Sequence, residues 1–142
     1  MAKQLARATV IEISDGGATP AWLQLDWMTA TYDEARTMVD VTSQANAGWT
    51  EEIAAGGQVT LTVENTYLLD DDGTTRDAAQ ARCETLARAF GQAAVGQVRV
   101  TEASDATVTF SANFKVSPFS GGAQDAAKWS CEIKSTGTVT FA

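Results

Sequence analysis

The chain has 142 residues, a formal charge of −8 and no histidine. That length suits one domain burying about 70% of the surface its unfolded chain exposes. The missing histidine excludes His-dependent hydrolytic triads and most zinc sites. The acidic balance argues against tight nucleic-acid binding, which draws its affinity from Lys and Arg. Two cysteines, Cys83 and Cys131, each fall on the apolar face of their own element. They read as buried thiols acting as small apolar side chains, not as a redox pair. The opening MAKQLARATVIEI is too short and too interrupted for a secretory leader, with Glu12 inside it. No run approaches the ~20 apolar residues of a membrane helix, so a protein soluble when made, in a cytoplasm, is expected.

In chain order, Leu5–Ser14 contains Val10, Ile11 and Ile13 and ends at Asp15-Gly16-Gly17, the pattern of a strand and a turn. After Pro20, Leu23, Leu25 and Trp27 alternate with polar residues, which predicts a second strand over Ala21–Thr31. Trp22 falls on its polar side, as a subunit contact or a rim-packed ring. Tyr32–Ala35 reads as an acidic turn and Arg36–Thr42 as a third strand, with Val39 and Val41 on one face. A polar loop follows, holding Trp49 and Glu51-Glu52 and closed by Gly56-Gly57. Strands that serve only a core need no loop of this length, so it is expected to reach toward another subunit.

Val59–Asn65 is an amphipathic strand: Val59, Leu61 and Val63 face one way, Thr60, Thr62 and Glu64 the other. Asp70-Asp71-Asp72-Gly73 looks like part of a calcium loop. In that register, however, Leu68 and Ala79 would fall at obligatory ligand positions, so it reads as a polar turn before a helix. The helix is predicted over Thr75–Phe90. Ala79, Cys83, Leu86, Ala87 and Phe90 form its apolar face, Asp77, Gln80, Glu84 and Arg88 lie opposite, and Gly91 stops it. Its arginines are mixed with acids and read as a solvated or subunit-facing surface.

Gln97–Thr101 is a short strand and Glu102–Ala106 a turn. Thr107–Val116 alternates strictly, with Val108, Phe110, Ala112, Phe114 and Val116 on the buried face; Pro118 and Gly121-Gly122 end it. Trp129, Cys131 and Ile133 mark another strand. Val139 and Phe141 imply a docked C-terminus. The sum is a mainly β protein: an antiparallel β-sandwich or barrel of about seven strands with one flanking α-helix, in a single domain over residues 1–142. No repeat, low-complexity segment or linker interrupts it.

No catalytic set emerges. There is no GxSxG, P-loop or GxGxxG, and nothing asks for a cofactor or metal. Glu12 and Asp26 could face each other as a glycosidase-like pair, but solvated carboxylates are the simpler reading. An enzyme is not expected.

The order of several short motifs carries a resemblance. VDVTS…AGW (Val39–Trp49), Gly56-Gly57, the V-x-L-x-V strand, one helix, a long alternating strand and the ending Ser135, Gly137, Val139, Phe141 resemble the major tail tube proteins of long-tailed, non-contractile (siphovirus) bacteriophages. Met1–Ser14 matches weakly and Val39–Ala142 well. Asp15–Arg36 departs from the family's compact Gly-Leu-Arg approach to the VDVT strand. The resemblance implies a sandwich or barrel with one helix, six copies per ring, and inner sheets joined into one continuous barrel. Rings would stack into a virion tail tube, assembled in the host bacterial cytoplasm, that encloses a tape-measure protein and later conducts DNA through an acidic lumen without specific binding. Tail terminator and tail-tip or baseplate proteins would be its other partners, with no membrane binding.

On this reading Ser43, Gln44, Asn46, Trp49, Glu51 and Glu52 form an inter-ring or subunit contact loop. Thr60, Thr62 and Glu64 are candidate lumen-facing residues, with the polar face of Thr107–Lys115 a second candidate. The alternative is a monomeric β-sandwich binding module, a capsid decoration or carbohydrate-adhesion domain, with Trp22, Trp27 and Trp49 as an aromatic platform.

Overall fold

The computed structural model describes residues 8–46, 48–69 and 74–142. Its strands are β1 (Val10–Ser14), β2 (Trp22–Leu25), β3 (Thr29–Asp40), β4 (Glu52–Thr66), β5 (Gly96–Thr101), β6 (Thr107–Ser120) and β7 (Lys128–Phe141), with one helix, α1 (Ala78–Arg88). All pair antiparallel in one seven-stranded sheet of order β2-β1-β5-β6-β7-β4-β3.

The order dictates the shape. The two edge strands, β2 and β3, are consecutive in sequence, with only Asp26, Trp27 and Met28 between them. A flat sheet would hold its edges roughly 29 Å apart. The chain from Leu25 to Thr29 spans at most about 14 Å. The sheet therefore rolls toward closure and encloses its own core, as expected for the sandwich-or-barrel class. Within the connection, Met28 N–H continues the β3–β4 ladder by donating to the Glu64 carbonyl at 2.9 Å, and the Trp27 indole N–H reaches back to the Thr9 carbonyl, just before β1, at 3.3 Å.

Alternation decides what the roll encloses. Leu61 pairs with Ile133, which pairs with Phe114, and Val63 pairs with Cys131. All five are buried, with Phe110, Ala112 and Trp129 around them. The helix packs against β6, β1 and β2. It comes close because β5 opens with Gly96, where a Cβ would overlap Leu86 Cδ1 and crowd the Phe114 ring at 3.1 Å. The Cys83 thiol meets Cys131 in this core, and that hydrogen bond together with burial pushes its pKa well above the ordinary thiol range. The C-terminus is docked: Phe141 pairs with Val108, and Ala142 and Thr107 exchange backbone hydrogen bonds at 2.9 and 3.0 Å.

Several sequence expectations are corrected. Tyr32–Ala35 is not a turn; it lies within the continuous β3. The strand expected over Ala21–Thr31 is broken at Asp26–Met28, where the roll closes. Pro118 does not end β6, which runs to Ser120 through a register shift between Ser117 and Ser120 that accommodates the missing donor. The helix is shorter than expected and two of its polar residues are core. Gln80 is buried, accepting from Leu68 N–H at 3.0 Å and donating to the Thr66 carbonyl at 3.0 Å. Glu84 is buried against Arg76 at 2.6 Å. Phe90, expected on the apolar face, lies past the end of α1 and is 92% exposed. Asp77 is the N-cap, accepting from Gln80 N–H at 3.1 Å. The Asp70–Asp72 turn lies outside the described residues.

Candidate assembly surface

The sheet does not hold β3 and β4 along their whole length. β7 pairs with β4 from Thr66 to Thr60, and beyond Lys134 it pairs with β6 alone. Ser135 marks the fork: its hydroxyl accepts the Val59 N–H at 2.8 Å. Past that point Ala35–Asp40 and Glu52–Gln58 continue as a two-stranded ribbon. It projects roughly 20 Å beyond the sheet at about 3.3 Å per residue. Gly56 and Gly57 do not close a loop; they sit inside β4, where the register slips between Thr37 and Met38 and leaves Ala55 as the extra residue of a bulge.

The tip is ordered by its own side chains. Asp40 accepts the Thr42 N–H at 2.8 Å. The Thr42 hydroxyl accepts the Glu51 N–H at 2.8 Å, and Val41 N–H donates to the Glu51 carbonyl at 2.9 Å. Hydrogen bonding from Thr42 holds the Asp40 carboxyl below the usual carboxylate range. Gln44–Asn46 forms a 3-10 turn, and Gly48 takes a left-handed φ of 91° that a side chain would disfavour. Ser43, Gln44, Glu51 and Glu52 are exposed, and Trp49 is 80% exposed. The ring turns outward, away from its own core. Val39 lies directly opposite Ile53, and with Val41 they make an exposed apolar strip on one face; Met38 is exposed on the other.

The second set of predicted residues lies on the body. Thr60, Thr62 and Glu64 face outward from β4, opposite Lys134, Glu132 and Ser130 of β7, which in turn oppose Asn113, Lys115 and Ser117 of β6. The two lumen candidates are thus one face, not alternatives. Its charges are mixed, with Glu132 and Lys134 paired at 3.3 Å.

The other readings find no geometry. Trp22 is half-buried with the Arg99 guanidinium stacked 4.4 Å from its ring centroid, so it is rim-packed. Trp27 lies in the β2–β3 connection. Trp49 is about 40 Å along β4 from that connection, so the three rings make no common platform. Glu12 is engaged by Arg99 through bonds of 3.0 to 3.2 Å, and Asp26 accepts the Trp27 N–H at 3.1 Å. Among the described residues no cluster of His, Cys, Asp or Glu could hold a metal.

A rolled sheet with free strand edges and an apolar ribbon in solvent is the shape of a subunit made to be joined to others. The chain belongs to the phage tail tube protein family, whose model matches residues 3–141. It shares its fold with a chain of the tail of an empty gene transfer agent (GTA) particle refined with C6 symmetry, at 16% identity, 99% coverage of both chains and a TM-score of 0.75. A chain of the native GTA virion matches at 14% identity, 99% coverage of both and a TM-score of 0.72. A chain of the six-fold symmetrised anti-feeding prophage baseplate matches at 7% identity, covering 100% of this chain and 97% of that one, with a TM-score of 0.60. At these identities the likeness is one of fold. Curated protein sequences give no match.

Proposed function

We propose that six copies of this chain form a ring and that rings stack into the tube of a non-contractile phage tail or of a phage-like particle. One observation carries the reading: the β3–β4 ribbon stands in water with both faces exposed and an apolar strip along it. A two-stranded ribbon alone is marginally stable, so this one is kept for a neighbour. Past the fork, β4 and β7 each keep one unpaired edge, and joining such edges around a ring extends the sheet. Ser43, Gln44, Asn46, Trp49, Glu51 and Glu52 are the contact loop between rings or subunits.

The face bearing Thr60, Thr62 and Glu64 lines the channel. Hydroxyls and the self-neutralising Glu132–Lys134 pair offer DNA phosphates no net positive surface, and the overall charge of −8 adds repulsion. A tape-measure protein fills the channel before DNA passes, and terminator and tip or baseplate proteins cap its ends. The test is negative-stain microscopy of the purified protein, where rings or tubes are expected. A chain that stays monomeric at high concentration, even with a tape-measure or initiator protein added, would overturn the reading.

A further inference from the structure

The ribbon tip is one apolar patch among the described residues, and a second faces away from it. The other lies at the opposite pole, beside Thr66 and Lys128, about 45 Å away along β4. There Tyr67, Arg76, Glu84, Arg88, Pro118 and Phe119 line a cleft of about 460 Å³. Phe119 is 72% exposed on its rim, and Phe90 stands in solvent just past the end of α1.

Charge distinguishes the poles. In the cleft Glu84 is already neutralised by Arg76, whereas Arg88 is exposed and makes no ion pair among the described residues. The described lining of the cleft, with Arg76 and Arg88 against Glu84, therefore carries a net positive charge on an acidic protein. The tip is the reverse: Asp40 lies directly opposite Glu52, with Glu51 beside them. Like charges facing each other across a ribbon destabilise it unless a cation comes between.

We propose that the ribbon tip of one copy docks into the cleft between α1 and the β6–β7 turn of a second copy, Trp49 against Phe119 and Pro118, and Glu52 toward Arg88. This rests on the reading of the chain as a stacking tube subunit, and it supplies the receptor that reading lacks. Donor and receptor sit at opposite poles of one chain, so the contact is head-to-tail and does not close on itself; each copy offers a fresh tip to the next, and the product is a filament of rings.

The experiment exchanges the charges. Arg88→Glu and Glu52→Arg are each expected to lower tube yield at least tenfold by negative-stain counting, with no fall in melting temperature, because both side chains are exposed and an Arg opposite Asp40 relieves a like-charge pair. The double variant is expected to recover to within twofold of wild type. As a contact measurement, Trp49→Cys protein mixed with Phe119→Cys protein and oxidised is expected to give a disulfide-linked dimer that neither variant gives alone. Wild-type tubes with an unaffected Arg88→Glu variant, a double variant as defective as the singles, or no mixed dimer would overturn the proposal while leaving the tube reading standing. A wild-type chain that forms no tubes would overturn both.

Discussion

The two halves of β4 show how one strand serves two ends. From Val59 to Thr66 it lies between β3 and β7, and Val59, Leu61 and Val63 are sealed in the core. From Glu52 to Gln58 it has β3 alone, both faces are wet, and Ile53 is exposed. The first half is held by burial, the second only by its pairing with β3 and the hydrogen bonds of its own tip. Stability and assembly should therefore separate along a single strand.

Mutations can break that separation or sharpen it. In the body, Phe110→Ala removes a ring buried in the rolled sheet. It should cost on the order of 3–5 kcal/mol in denaturant unfolding and leave little folded subunit to assemble. Gly96→Ala forces a methyl into Leu86 and Phe114 and should cost about 1–3 kcal/mol, read from the same transition. Ser135→Ala acts at the fork, where it deprives the buried Val59 N–H of its side-chain acceptor; about 1–2 kcal/mol is expected. Trp49→Ala should change unfolding free energy by no more than about 0.5 kcal/mol while shortening tubes. A large fall in melting temperature with tube length unchanged would instead show a ring that belongs to the core.

The smallest effect is one of pH. Hydrogen bonds from Thr42 hold the Asp40 carboxyl below the usual carboxylate range. A depressed carboxylate contributes order above its unfolded pKa and loses it as pH falls through the folded one. The Thr42 amide resonance should therefore titrate with a midpoint below that of an unstructured aspartate, and a midpoint at or above it would show the bond absent in solution.

The same contrast explains what the sequence could reveal. Period-two alternation arises only where one face of a strand is buried and the other wet. Thr107–Val116 and Trp129–Ile133 satisfy that, and both were legible as strands. The ribbon has two wet faces, so Glu52-Ile53-Ala54-Ala55-Gly56-Gly57 carries no such signal and reads as a loop. Tyr32–Ala35 reads as a turn for the same reason: its acids sit on a strand with nothing packed over them. The helix misleads in the opposite sense. Gln80 and Glu84 look solvent-facing but are buried, because each finds polar partners that only the fold brings near: Leu68, Thr66 and Arg76. Trp49 stands out in the sequence as a lone ring in a polar stretch, but only its place on a projecting ribbon turns it outward. The receptor cleft has no motif, since Tyr67, Arg88 and Phe119 come from distant parts of the chain.

Amide hydrogen exchange along β4, in free subunits and in assembled tubes, tests the account most directly. Leu61–Thr66 should be protected in both states. Ile53–Gln58 should exchange rapidly in the free subunit and become protected on assembly, by at least tenfold. Ribbon amides that exchange equally fast in assembled tubes would contradict the central claim that this half of the strand is kept for a neighbouring subunit.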